Sequence, residues 1–200
     1  HFMSEYNYAC VNILLKQHGL LHKDVLLDFI NRDFRPFNCN QIERTKRLRI
    51  LQLLKKYGQD LNVTDGCGKN ILFYINDIKT IRILNTWGVR LDVKDIFKQN
   101  LLFYANTPVF LNYLLNEGLS STINSCNISN NTPIEHAAIE NHFDVVKYLL
   151  NRENFIMRDK LLKIIIQKRH HSIIDYLLRT ISSTWPCSTF LASTSRPGSN

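Results

Sequence analysis

Apolar residues fall at helical spacing in a series of short segments along the middle of the chain. Three of these segments end at glycines that are thirty residues apart, namely Gly58, Gly88 and Gly118. The polar positions between the segments keep the same step, since Asp65 is followed by Asp95. Such self-similarity at a fixed period is typical of a solenoid, in which each helical unit buries its apolar flanks against its neighbours. The pattern therefore predicts an all-α repeat array.

The segment 127–150 shows how one unit is built. Thr132 can cap exposed N–H groups and Pro133 suits the first position of a helix, so a helix is predicted to begin here. Asn141 can adopt the left-handed conformation that ends this helix. The segment is thus predicted to form two short helices joined by a tight turn. The apolar stripe of the second helix consists of Val145, Val146, Leu149 and Leu150.

The same segment resembles an ankyrin repeat, whose usual pattern is Asp-x-x-Gly-x-Thr-Pro-Leu-His-x-Ala-Ala-x-x-Gly-His before a helix ending in Leu-Leu. Thr-Pro-Ile, Ala-Ala and Asn-His stand in register with that pattern. Asn127 replaces the aspartate and Glu135 replaces the first histidine. Asn130 and Asn141 replace the two glycines. The resemblance implies an all-α ankyrin-repeat solenoid of helix–turn–helix units with short hairpin loops.

The two preceding repeats are about three residues shorter than a usual ankyrin repeat of thirty-three. Residues 70–74 and 100–104 are predicted to start their first helices, and the shortage falls between the two helices of each unit. Phe73 and Phe103 replace the family's histidine. Such shortened repeats resemble the ankyrin proteins of poxviruses and of intracellular bacteria such as Legionella and the rickettsiae. The abundance of Ile, Asn, Lys and Leu suits an AT-rich genome of either kind.

Three regions are predicted. Residues 3–41 form an atypical helical pair, and residues 42–180 hold the repeats, with a degenerate C-terminal cap in which 170–178 echo 142–150. Residues 181–200 are rich in Ser, Thr, Pro and Gly with almost no charge, which predicts a disordered or vector-derived tail. In the N-terminal pair the first helix stops at Gly19 and the second carries Val25, Leu26, Phe29 and Ile30.

Composition favours a globular protein of a reducing compartment. A hydrophobic content of 44% is that of a globular chain. No apolar run is long enough to cross a bilayer, and no basic-then-apolar leader is present at the N-terminus, so no membrane association is expected. The five cysteines are odd in number and form no C-x-x-C pair, which argues against a disulfide framework or a structural zinc site and favours a reducing compartment.

The sequence contains no catalytic motif. A phosphate-binding glycine loop, a G-x-S-x-G elbow and an H-E-x-x-H pair are all missing. We therefore expect no enzymatic activity, no cofactor and no metal. The resemblance implies that His136 and His142 make turn and helix-cap hydrogen bonds, and the His170-His171 pair is interpreted as structural in the same way. Tyr74 and Tyr104 are interpreted as packing residues of the solenoid.

The resemblance also assigns positions that would contact a partner, since ankyrin arrays bind through their hairpin tips and the exposed side of the first helix. Ile96 and Phe97 are singled out, because two adjacent large apolar residues at a hairpin tip should be exposed and offer an anchor. The alternative is that the short repeat tucks Phe97 against its neighbour. The full predicted set is Gly66, Cys67, Lys69, Ile96, Phe97, Gln99, Ile128, Ser129, Asn131, Ile139 and Glu140.

The resulting hypothesis is a monomeric, non-enzymatic protein-interaction module. Its viral and bacterial resemblance implies a host protein as the partner and the host cytoplasm or nucleus as the location. Two alternatives stay open: a targeting module of a longer enzyme or effector, and a binder of nucleic acid or chromatin. The net charge of +8 permits an acidic partner. Nucleic acid is the less favoured one, since two basic clusters on predicted helices lack interleaved aromatic residues: 44–56 and 158–169.

Overall fold

A computed structural model describes residues 2–22, 26, 41–75, 77–152 and 159–184. Within these residues the chain is helical, with no strand. They contain eight α-helices and three 3-10 turns, which confirms the all-α prediction. The α-helices are α1 Phe2–His18, α2 Gln41–Lys56, α3 Ile78–Thr86, α4 Pro108–Asn116, α5 Pro133–Ile139, α6 Phe143–Leu150, α7 Asp159–Gln167 and α8 His171–Thr184; the 3-10 turns are Ile71–Tyr74, Leu101–Tyr104 and Leu119–Thr122.

The repeats stack in two layers. In the inner layer the turn Ile71–Tyr74 contacts the turn Leu101–Tyr104, which contacts α5, and α5 in turn packs on α7. In the outer layer α4 packs on α6 and α6 packs on α8. One apolar core runs between the layers, and its members are almost all Leu, Ile, Val and Ala. Because each unit covers its neighbour's apolar flank, the core is continuous along the array.

The two repeats that precede the segment 127–150 are called the middle repeats. The first helix of each is shorter than the sequence pattern predicts. Residues 71–74 and 101–104 make a single 3-10 turn, after which Ile75 and Ala105 are extended. The side-chain Oδ1 of Asn70 accepts the N–H of Leu72 at 3.1 Å, as in a capped helix start, but the repeat then lacks the residues for a further turn. The unit whose length is not reduced contains a seven-residue α-helix, α5, at the same place.

The second helix of each middle repeat begins at a capping side chain. Asp77 Oδ2 accepts the N–H of Thr80 at 3.1 Å at the start of α3. Thr107 Oγ1 accepts the N–H of Phe110 at 3.3 Å at the start of α4, where Pro108 occupies the first helical position. The polar residues that replace the longer segment between the helices therefore serve to start the next helix.

Tyrosine–asparagine hydrogen bonds join neighbouring outer helices. The hydroxyl of Tyr148 on α6 donates to Asn112 Oδ1 on α4 at 2.7 Å. The hydroxyl of Tyr176 on α8 donates in the same way to Asn151 Oδ1 at 2.7 Å. These bonds cross the boundary between units, so they fix the register of one unit against the next in addition to the apolar contacts.

The C-terminal pair α7–α8 repeats the helix–turn–helix arrangement of α5–α6, while its role as a cap of the array stays a prediction. Asn141 and Arg169, the residues that end the first helix of each pair, have φ values of 63° and 54°. The Nε2 of His170 lies 2.7 Å from the carbonyl oxygen of Ala138 in the preceding unit, so the structural interpretation of His170 is confirmed. Helix α8 continues to Thr184, past the predicted boundary at residue 180, and residues 185–200 lie outside the described part.

At the N-terminus, α1 ends at His18 and Gly19 follows with φ 77°, as predicted. Helix α1 packs on α2. Of the predicted second helix, Leu26 is helical and fully buried, while the other residues named for it lie outside the described part. Over the residues given above, no helix is both long and apolar enough to cross a membrane.

Candidate partner-binding surface

The structure contains three hairpins of the same form, at residues 65–69, 95–99 and 127–131. Each hairpin is closed by the side chain of its first residue, which is Asp65, Asp95 or Asn127. The Oδ1 atom of that residue accepts the backbone N–H groups two and four residues later, at 2.8 and 2.9 Å from Asp65, 2.9 and 2.8 Å from Asp95, and 3.0 and 3.0 Å from Asn127. The first residue's own N–H donates to the carbonyl four residues on, at 3.0, 2.9 and 2.9 Å respectively. One acceptor oxygen therefore organises the whole turn, and an amide serves as well as a carboxylate.

The third residue after each closing residue adopts the left-handed conformation. Gly68, Lys98 and Asn130 have φ values of 76°, 59° and 54°. A lysine is strained in this region, whereas glycine and asparagine adopt it more readily. The three hairpins nevertheless have the same turn, so Lys98, which stands where the family pattern has a glycine, does not change the shape of the middle tip.

Two tyrosines support the first two hairpins from the inner layer. The hydroxyl of Tyr104 donates to Asp95 Oδ2 at 2.6 Å, and the hydroxyl of Tyr74 donates to Asp65 Oδ2. Burial, followed by the hydrogen bond to Asp95, raises the pKa of Tyr104 far above its usual range, so its hydroxyl remains a donor. The rings of Tyr104 and Phe73 make an edge-to-face contact with centroids 5.2 Å apart. The interpretation of both tyrosines as packing residues is confirmed.

Backbone hydrogen bonds hold the hairpin tips in register. The N–H of Ile96 donates to the carbonyl of Cys67 at 2.9 Å, and the N–H of Ile128 donates to the carbonyl of Phe97 at 3.0 Å. The dipeptide Ile96-Phe97 therefore bonds to both neighbouring tips. Hydrogen-bonded chain segments lie about 5 Å apart, so the three tips form one continuous strip. We call the strip formed by residues 66–67, 96–97 and 128–129 the tip surface.

Three large apolar side chains on the tip surface are exposed. The exposed fractions are 56% for Ile96, 45% for Phe97 and 57% for Ile128. The predicted exposure of Ile96 and Phe97 is confirmed, and the alternative in which Phe97 tucks against a neighbouring repeat is wrong. Scattered apolar residues are ordinary on protein surfaces, but neighbouring ones in hydrogen-bonded register offer a contiguous apolar contact area.

The other predicted contact residues divide by burial. Gln99 is only 9% exposed, and its N–H and carbonyl are both used inside the hairpin, so the expectation of an exposed contact residue there is wrong. Ile139 is half-buried and packs against the core. Gly66, Cys67, Ser129 and Glu140 are exposed, while Lys69 and Asn131 are half-buried.

Lys160 belongs to this surface although the sequence gives no signal for it. Its Nζ donates to the carbonyl oxygens of Ser129 and Asn130 at 3.0 and 2.9 Å. These carbonyls belong to the third tip, where the next unit has no hairpin in the sequence pattern. A lysine side chain from α7 therefore binds the backbone of the third tip. Because thirty residues separate Lys160 from its acceptors, local sequence reasoning could not find the contact.

The predicted basic clusters are in part structural. Lys55 on α2 donates to the carbonyl of Trp87 at 3.2 Å, and Lys160 bonds to the third tip as described. Arg158 lies outside the described residues. Several other members are exposed to solvent on helix surfaces or in turns: Arg49, Lys56, Lys163, Lys168 and Arg169.

Histidines and acidic residues do not assemble a metal site in the described part, where no group of three or more His, Cys, Asp or Glu side chains converges. His142 precedes α6, but its side chain makes no cap hydrogen bond, so its predicted cap role is wrong. The N–H of Thr132 instead donates to Glu135 Oε2 at 2.8 Å at the start of α5, where the family pattern has a histidine. Glu135 is fully buried.

His136 is half-buried, and its ring packs edge-to-face on Phe103 at a centroid distance of 5.8 Å. Its buried Nδ1 has no hydrogen-bond partner among the described residues, so the predicted turn bond is not formed at that atom. Burial lowers the pKa of His136, against the raising effect of the negative charges of Glu140 and Asp95.

We predict that this histidine makes stability fall in mild acid. Its pKa is lower in the folded than in the unfolded chain, so the unfolded chain binds more protons in the interval between the two values. The free energy of unfolding should therefore decrease as the pH falls from about 7.5 through the unfolded pKa of about 6.5. Urea unfolding at pH 7.5, 6.5 and 5.5 measures the slope. His136→Gln should reduce that slope, and an unchanged slope in this variant would contradict the prediction.

The model of the ankyrin repeat family matches residues 129–156. The chain contains an ankyrin repeat. The matched residues begin within the third tip and include α5 and α6, the unit with the complete two-helix form. Together with the all-helical stack, this finding is consistent with an ankyrin solenoid, and such solenoids serve as protein-binding modules. No curated protein matches the chain.

Proposed function

We propose that this ankyrin-repeat chain is a non-enzymatic binding module that captures a protein partner on its tip surface. The observation that carries the proposal is the hydrogen-bonded register of Ile96-Phe97 with both neighbouring tips, which sets exposed Ile96, Phe97 and Ile128 on one strip. The turn beneath them is fixed by Asp95 and Tyr104, so these side chains are presented by a pre-organised backbone. Pre-organisation reduces the entropy lost on binding.

The finer form of the proposal is a pathogen ankyrin protein that redirects or sequesters a host protein in the host cytoplasm or nucleus. Its support is the resemblance of the shortened repeats to those of poxviral and intracellular bacterial ankyrin proteins. The richness in Ile, Asn, Lys and Leu is further support. A host protein is a reasonable partner class because binding modules of such agents act on the cells they enter.

Affinity capture from a eukaryotic cell lysate, with quantitative mass spectrometry, tests this function. The wild type is compared with Ile96→Ala/Phe97→Ala and with a control, Val109→Ala/Leu178→Ala. Val109 and Leu178 are 70% and 62% exposed on the outer helices α4 and α8, so the control loses similar apolar area away from the tips. Each variant is first shown to be folded by circular dichroism.

We expect the tip variant to lose affinity for the captured protein by roughly 30-fold, because two anchors of about 1 kcal/mol each act at the centre of the contact. The control should capture the same protein as the wild type. Purified partner and isothermal titration calorimetry give the affinities. Equal capture by the tip variant and the wild type would show that the partner binds elsewhere.

A further inference from the structure

We propose that the partner contacts the tip surface through an acidic segment that carries a large apolar side chain. This inference rests on the proposed function and names the chemistry of the partner. It follows from the charges that surround the exposed Ile96, Phe97 and Ile128.

The lysines of the middle hairpin are available to a partner. Lys94 and Lys98 lie directly on either side of the Asp95–Phe97 segment, and both are exposed. Among the described residues neither side chain has an ion pair or a hydrogen bond. Lys69 on the first hairpin lies nearby with its Nζ 4.6 Å from the centroid of the Tyr104 ring.

The carboxylates of the same hairpins are occupied within the protein. Asp65 and Asp95 each accept two backbone N–H groups and a tyrosine hydroxyl, and Asp95 is only 5% exposed. Asp92 forms an ion pair with Arg90 at 3.0 Å. Because these carboxylates are committed, they do not neutralise the neighbouring lysines through direct contacts.

The third tip adds no acidic group and gains a basic one. Asn127 closes this hairpin with a neutral amide, where the other two hairpins use an aspartate. Lys160 brings its ammonium group to the carbonyls of Ser129 and Asn130. Among the predicted contact positions Glu140 is the carboxylate that remains exposed. The tip surface is therefore apolar along its centre and positively charged at its edges.

Positive charges around an apolar strip favour a partner segment in which acidic residues flank an apolar side chain. Complementary rim charges raise the rate of association and exclude partners of like charge, while the apolar anchor supplies most of the affinity. An acidic segment without an apolar residue would leave Ile96 and Phe97 uncovered. A duplex nucleic acid, whose bases are stacked inside the helix, would satisfy the lysines with its phosphates and likewise leave the apolar strip without a counterpart.

Peptide display tests the inference without knowledge of the natural partner. Random twelve-residue peptides are selected on the whole chain and sequenced. We expect the enriched peptides to contain Asp and Glu next to a Leu, Ile, Phe or Trp. A selected peptide, labelled with fluorescein, is then measured by anisotropy on the wild type, on Lys94→Glu/Lys98→Glu and on Lys79→Glu/Lys168→Glu.

Both control lysines are exposed, and neither belongs to a hairpin. Lys79 lies in the first turn of α3, and Lys168 lies in the turn between α7 and α8. The control therefore has the same net charge as the tip variant. The tip charge variant should bind the peptide roughly fivefold or more weakly, from two surface pairs of typical strength, and the control should match the wild type. The peptide with its acids changed to Gln and Asn should show the same loss on the wild type.

Each other outcome overturns the inference in a distinguishable way. Apolar peptides without an acidic excess that lose binding on Ile96→Ala/Phe97→Ala would refute the acidic partner and leave the proposed function standing. Peptides that bind this apolar variant as well as the wild type, or no enrichment at all, would count against both. A 20-base-pair DNA duplex that displaces the peptide at 150 mM salt, with Lys94 and Lys98 required, would assign the surface to nucleic acid.

Discussion

Asp95→Ala should lower the free energy of unfolding by about 3 kcal/mol. Its Oδ1 accepts the N–H groups of Phe97 and Gln99, and its Oδ2 accepts the hydroxyl of Tyr104. Removal of the carboxylate leaves these three donors without their acceptor at a residue that is only 5% exposed. A buried unsatisfied donor costs roughly 1–3 kcal/mol, and water can reach part of this exposed turn. Urea unfolding followed by circular dichroism at 222 nm measures the change.

The matched control is Asp95→Asn, because the third hairpin already uses Asn127 at this position. Its Oδ1 accepts two N–H groups at 3.0 Å, so an amide oxygen is sufficient to close the turn. We expect Asp95→Asn to cost about 1 kcal/mol, the typical net value of the single hydrogen bond from Tyr104 that is weakened. If the alanine and asparagine variants unfolded at the same urea concentration, the side-chain acceptor would not be what holds the turn.

Gly68→Ala should lower the free energy of unfolding by about 2 kcal/mol. The residue has φ 76°, where an added Cβ is strained, and that Cβ would lie 3.3 Å from the Cα of Asp95 and from the nitrogen of Ile96. These atoms belong to the backbone of the next hairpin, which is held by its own turn and by the bond from Ile96 to Cys67. The same unfolding assay, in urea, measures the loss.

Gly66→Ala is the control for the glycine prediction, since no atom lies within 4 Å of its added Cβ and its φ is outside the left-handed region. It should unfold within about 0.5 kcal/mol of the wild type. Gly68→Asn separates the two causes, because asparagine tolerates the left-handed conformation but has the same Cβ. A stability equal to that of the wild type for Gly68→Asn would show that the contact with the next hairpin is relieved without cost.

The sequence predicted the period, the two-helix unit and the exposed pair Ile96-Phe97, because these depend on local patterns of apolar spacing and turn residues. Gly19 and Asn141 were recognised for the same reason, as left-handed residues that end helices. The position of Ile96-Phe97 relative to the repeat pattern was enough to place the pair at a hairpin tip, and residues at a hairpin tip are exposed.

The features that the sequence did not predict depend on competition between local signals or on contacts between residues that are far apart in the chain. Asn70 caps a helix start as expected, but the shortened repeat ends that helix after one 3-10 turn. Gln99 is one residue after the left-handed Lys98 and is buried by the turn, which a positional rule cannot foresee. Lys160 reaches the third tip across thirty residues, and helical spacing carries no information on that contact.

The turn beneath each tip dipeptide uses only the main chain of those two residues. The closing oxygen comes from Asp65, Asp95 or Asn127, and the bonds between tips run through the N–H or C=O groups of Cys67, Ile96, Phe97 and Ile128. The three pairs already differ widely, as Gly-Cys, Ile-Phe and Ile-Ser. Side chains at these six positions can therefore be exchanged without the loss of a hydrogen bond from the turns, so under the proposed function a lineage carrying this scaffold could change its target while the hairpin framework stays the same.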